Sequence, residues 1–206
     1  MQSYTTIRDT AVAEIVEKKS RFIASVSHVE TEEEAVAFLE RVRAENRMAR
    51  HNVYAYILRA DGRIRYSDDG EPQKTAGMPT LEAIQHAGLT DVIVVVTRYF
   101  GGILLGTGGL VRAYTQATQA GLAAAEKVTV SRCVDVTVHV EYALYERTLR
   151  CAEECGAKVT DSVFTDEVTL SLLMLDGTQE ELLKKMTELC RGKERIEVSS
   201  PYDAPF

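Results

Sequence analysis

The stretch Val92-Ile93-Val94-Val95-Val96-Thr97-Arg98-Tyr99-Phe100-Gly101-Gly102-Ile103-Leu104-Leu105-Gly106-Thr107-Gly108-Gly109-Leu110-Val111-Arg112 decides the fold. Its first five residues are apolar and β-branched, the pattern of a strand buried on both faces. A glycine-dense turn follows, and a helix is expected from about Thr107 to Ala125. Five glycines fall within nine residues, at 101, 102, 106, 108 and 109. Glycine lets a backbone approach a ligand closely, and a helix N-terminus carries unpaired N–H groups, so the turn is a candidate anion surface. Two nucleotide motifs do not fit it. Thr107 stands where a Walker loop needs lysine, and Val111 stands at the third glycine of a dinucleotide fingerprint.

The flanking sequence supplies the remaining elements. Ala13, Ile15, Phe22-Ile23-Ala24 and Val26 suggest two strands that meet at the basic turn Lys18-Lys19-Ser20-Arg21. Thr31 before Glu32-Glu33-Glu34 opens a helix that runs to about Glu45. His51–Leu58 reads as a strand, turning at Asp61-Gly62 into Ile64–Ser67. Asp68-Asp69-Gly70-Glu71-Pro72 is a loop, and the next helix starts with Thr75 near its cap and ends at Gly88. Beyond Lys127 the order is β-α-β-β-α-β, a ferredoxin-like unit, with Pro201, Tyr202 and Phe206 in an exposed tail. The expected class is α+β, with domains at 1–127 and 128–206.

Composition narrows the function classes. The net charge is −7: residues 1–126 hold 14 Lys/Arg against 16 Asp/Glu, and the rest hold 10 against 15. That balance argues against a general DNA binder and leaves room for a local basic patch. No apolar run is long enough for a membrane helix, and Met1-Gln2-Ser3-Tyr4 begins no signal segment, so a cytoplasmic location is expected. Cys133, Cys151, Cys155 and Cys190 match no zinc spacing and are expected to pack in the interior. No cofactor or metal is implied.

Several motifs together resemble the YigZ/IMPACT family. They are Lys18-Lys19-Ser20-Arg21-Phe22, Ala49-Arg50-His51, Ser67-Asp68-Asp69-Gly70-Glu71-Pro72, Thr75-Ala76-Gly77-Met78-Pro79 and Arg98-Tyr99-Phe100-Gly101-Gly102 with the glycines through Gly109. The chain departs from the family pattern at Gln73-Lys74, where a small residue and a glycine usually stand. The resemblance implies that the first domain is an α/β sandwich like domain 2 of the fifth small-subunit ribosomal protein and domain IV of elongation factor G. It implies that the second is like domain V of that factor. It also implies a role in regulation of translation.

The residues themselves suggest a site where these motifs meet. Lys19, Arg21, Arg50, His51, Arg98 and Tyr99, with Gly101, Gly102, Gly106, Thr107, Gly108 and Gly109, are candidates for binding an anion or RNA. Arg43, Arg47 and Arg50 extend a basic stripe if the preceding helix reaches that far. RNA or the ribosome is therefore the expected partner, through a non-enzymatic binding role. The acidic loop residues Asp68, Asp69 and Glu71, with Thr75, carry the alternative. Asp68 and Asp69 beside His51 suit a phosphoester- or nucleotide-directed hydrolase, with Ser20, Ser67 and Thr75 as nucleophile candidates. A second alternative is a module that docks a protein partner.

Overall fold

The apolar run is buried on both sides because the strand it forms lies between two cores. A computed structural model describes residues 3–192 and 195–206. The chain is an α+β protein with two antiparallel sheets, divided into two compact units, Tyr4–Val128 and Thr129–Phe206 with Ser3. In the first unit the sheet runs β2 (Ala11–Glu17), β3 (Ser20–His28), β6 (Val92–Tyr99), β4 (His51–Ile57) and β5 (Ile64–Ser67). Val92, Val94 and Val96 of β6 join Phe22, Ala24, Val53 and Ala55 beneath α2 (Gly77–His86) and α3 (Thr107–Ala124). Ile93 and Val95 point the other way, into a core with Phe38, Leu39 and Val42 of α1 (Glu32–Glu45). Helices on both faces explain why β6 shows no polar alternation. A short strand, β1 (Tyr4–Ile7), begins this unit.

Local chemistry sets the element ends. Lys18 and Lys19 turn β2 into β3 at φ 44° and 66°, and the register closes on Glu17 opposite Ser20. Two successive positive φ values match a two-residue hairpin to the strand twist. Thr31 and Glu34 form a reciprocal capping box at the start of α1, with three acidic residues in its first turn.

The second unit is built on the long strand β7 (Lys127–Val140). A 3₁₀ turn at Tyr142–Leu144 leads into α4 (Tyr145–Glu154). Then come β8 (Lys158–Phe164), β9 (Val168–Leu175), α5 (Gln179–Cys190) and β10 (Arg195–Val198). The pairing order is β10-β7-β9-β8, and the element order is the β-α-β-β-α-β read from the sequence. Val134, Val136, Val138 and Val140 share a core with Leu170, Leu172, Ala152 of α4, and Leu182 and Met186 of α5, so both helices cover one face. The C-terminal residues correct one expectation. Tyr202–Pro205 form a further strand, β11, which pairs with Val130–Cys133 of β7 and buries Ala204 against Cys133 and Leu173. Open backbone groups beside β10 favour that pairing over an exposed tail. Among the described residues, no helix is long and apolar enough to cross a membrane.

Candidate functional site

The motif segments gather at one end of the 4–128 sheet. Ser20 opens β3, His51 opens β4, Tyr99 closes β6 and Ser67 closes β5. The ladder aligns them, with Arg21 opposite Tyr99 and Arg98 between Phe22 and His51. The Lys18-Lys19 turn, Arg50-His51, the 68–76 loop and the glycine turn therefore converge beside the N-termini of α2 and α3. Their side chains do not all share one face, because consecutive strand residues point oppositely. Arg21 and Tyr99 lie on the α1 side of the sheet, while Arg98 and His51 lie on the α2–α3 side. Arg21 donates from Nε and Nη2 to Glu14, each at 2.8 Å, and sits over the Tyr99 ring. Those bonds hold the Glu14 carboxyl below its usual range. The expected pocket joining Arg21 to Arg98 does not form.

Arg98 is a core residue. Its side chain is 8% exposed and donates from Nη1 to Glu71 Oε1 at 2.6 Å. Tyr114 of α3 donates its hydroxyl to the same oxygen at 2.8 Å. Burial, then the Glu71 charge, pushes the Tyr114 hydroxyl far above its ordinary range, so it stays a neutral donor. The guanidinium lies between the Phe22 and Phe100 rings, and Phe22 packs edge-on against Tyr114 at 5.2 Å. Arg98 thus ties the acidic loop to β6 and α3, and its charge is matched inside the protein.

The acidic loop is a structural hub. Asp68 accepts from the N–H groups of Lys74, Ala76 and Gly77, which caps α2. This replaces the expected cap: Ala76 is the cap position, and buried Thr75 bonds instead to the Pro72 carbonyl. Asp69 accepts from Asn52 N at 2.6 Å and from Arg43 at 3.2 Å. The basic stripe is interrupted here: α1 ends at Glu45, Arg43 bonds Glu40 and Asp69, and Arg47 bonds the Ala44 carbonyl. The three nucleophile candidates hold turns, since Ser20 accepts from Gly101 N and Ser67 from Asp69 N. His51 Nδ1 lies 2.8 Å from the Asp69 carbonyl. A carbonyl only accepts, so Nδ1 is the donor of this bond. Among the described residues, no group of three or more acidic, histidine or cysteine side chains is placed to hold a metal.

The glycine turn divides into a structural and an open half. A Cβ on Gly101 would lie 2.0 Å from the Lys19 carbonyl, so this glycine exists for close approach to the Lys18-Lys19 turn. Gly102, Gly106 and Gly108 have no atom within 4 Å of an added Cβ, while Gly109 would press on Leu105. Gly106 begins α3 at φ 72°, and no side chain caps the first turn, where Thr107 and Gly108 are exposed. Around this end Lys18, Lys19, Arg50, Lys74 and Arg112 are exposed. None of the five has a carboxylate within ion-pair distance among the described residues. Phe100 is 51% exposed and Leu104 82%.

The Impact N-terminal domain family matches residues 18–122, which contain every one of these segments. The chain belongs to the IMPACT family. It is of the YigZ type: it is 36% identical to the Escherichia coli IMPACT family member YigZ over 89% of this chain and 90% of that one. It is 46% identical to the Bacillus subtilis IMPACT family member YvyE over 59% of this chain, a match that spans 57% of that relative. A solved structure described as a hypothetical protein superposes at TM-score 0.62 and 33% identity, covering 95% of this chain and 97% of its own. Residues 138–193 match a domain of unknown function, DUF1949.

Within this IMPACT-family domain, sequence reasoning misses Tyr114 and Arg112. Tyr114 is two turns into α3, on its buried face, and only that helical phase hints at its place under Phe22. Arg112 is marked only by its exposure on α3 close to the Lys18 turn, whereas Lys74, which the sequence already sets apart from the family pattern, takes φ 62°.

Proposed function

We propose that this end of the first unit is an RNA-binding surface, through which the protein acts on translation at the ribosome. The observation that carries the reading is that exposed Lys18, Lys19, Arg50, Lys74 and Arg112 lie on the segments gathered at this end of the sheet, where α3 starts uncapped and Phe100 is half-exposed. Unpaired cations match phosphates, open helix N–H groups donate to anions, and an exposed aromatic ring stacks on an unpaired base. The carboxylates that a hydrolase would use are already bonded to backbone N–H groups and arginines. The reading includes a cytoplasmic setting. The family likeness supports it, as does the second unit, whose strand order and one-sided helices suit a ferredoxin-like domain of the kind in domain V of elongation factor G.

The test is binding of fluorescent single-stranded and hairpin RNA, and co-sedimentation with ribosomes, over a range of salt. The wild type binds saturably at low salt and weakens as salt rises. Lys19→Ala with Arg50→Ala keeps the fold, lowers affinity, and reduces the logarithmic salt slope by about 1.4, roughly 0.7 per lost single-strand phosphate contact. Absence of binding at low salt, or an unchanged slope in the double variant, refutes the reading.

A further inference from the structure

We propose that a cleft in the Thr129–Phe206 unit binds a small phosphomonoester. The cleft has a volume of about 490 Å³ and lies where the start of α4 meets the end of α5. That volume is in the range of small-molecule sites. Arg147, Arg191, Arg195 and His139 line it, with Leu144 and Leu189 as apolar wall. Two carboxylates also line it, Glu141 and Glu167. Glu167 is taken up by Arg195 and by His139. Arg147 and Arg191 have no carboxylate partner among the described residues.

Arg191 holds φ 53°, in the left-handed region that glycine occupies without cost. The end of α5 closes on its own backbone, with Gly192 N to Thr187 O at 2.9 Å and Arg191 N to Glu188 O at 3.3 Å. The helix therefore needs no guanidinium to satisfy those carbonyls. With Glu167 taken up, Arg147 and Arg191 face only the Glu141 carboxylate among the described residues, so the cleft keeps a net positive charge for a phosphomonoester, and the planar forks of the two guanidiniums suit its oxygens. The leucine wall suits the carbon skeleton.

The test is calorimetric titration of the full chain with phenyl phosphate, benzoate and phenol. Phenyl phosphate binds saturably below about 1 mM, and benzoate and phenol bind at least about tenfold more weakly. Arg147→Gln and Arg191→Gln each weaken phenyl phosphate by about tenfold, while Arg150→Gln, on an exposed arginine of α4 outside the cleft, leaves it unchanged. Circular dichroism confirms folding of each variant. No saturation by phenyl phosphate, equal binding of benzoate or phenol, or full affinity in the Arg147/Arg191 double variant overturns the proposal. The wild-type probe series decides it even without the variants.

Discussion

Replacing Glu71 with alanine removes the hydrogen-bond acceptor that two buried donors share. Arg98 Nη1 and the Tyr114 hydroxyl share Glu71 Oε1, and Arg98 Nε already has no partner among the described residues. The Arg98 side chain is 8% exposed and that of Glu71 4%, so water cannot freely replace the carboxylate. Breaking a buried pair by removing one member costs about 3–5 kcal/mol, because a charge is left uncompensated. The orphaned tyrosine hydroxyl adds about 1 kcal/mol or more. At roughly 3 °C per kcal/mol for a chain of this size, the melting temperature of the first unit falls by about 12–18 °C. Tyr114→Phe is the calibrating variant: Glu71 keeps Arg98, and the loss is only about 1 kcal/mol. Urea unfolding followed by far-ultraviolet circular dichroism gives both values, and the double variant gives their coupling. A Glu71→Ala loss near 1 kcal/mol would refute the reasoning, since the guanidinium would then be solvated and free to meet a ligand.

The other expectations use different probes. Gly101→Ala places a methyl group 2.0 Å from the Lys19 carbonyl and destabilises by about 3 kcal/mol, whereas Gly108→Ala enters open space and is neutral or stabilising; equal melting temperatures for the two contradict this. Lys74→Gly relieves φ 62° and raises stability by about 1 kcal/mol while weakening RNA binding, so the two readouts move in opposite directions. Burial, with the Glu32 hydrogen bond, pushes the Tyr56 hydroxyl from 10.0 to about 12. The unfolded chain therefore ionises there first, and this stability is present below pH 10 and lost as pH rises to about 12. The melting-temperature gap between wild type and Tyr56→Phe should close across that interval, and a constant gap would show no linkage.

Much of the architecture was legible because it rests on near-neighbour chemistry. The five β-branched residues of β6, the Thr31 start of α1 and the β-α-β-β-α-β order of the second unit all appear as read. The cap of α2 was not legible, because Asp68 acts on N–H groups eight and nine residues ahead. Nor was β11, whose partner on β7 lies 69 or more residues earlier.

The same division governs the candidate site. The sequence by itself determined that chain reversal at Lys18-Lys19 and after Tyr99 brings the motif segments to one end of a sheet. Only the tertiary structure decided which charges stay available. A strand alternates its side chains, so register sends Arg21 to Glu14 on one face and Arg98 to the opposite face, where Glu71 and Tyr114 meet it from 27 and 16 residues away. Burial then matches Arg98 internally, while Lys19 and Arg50, with no carboxylate in reach among the described residues, keep their charge facing water.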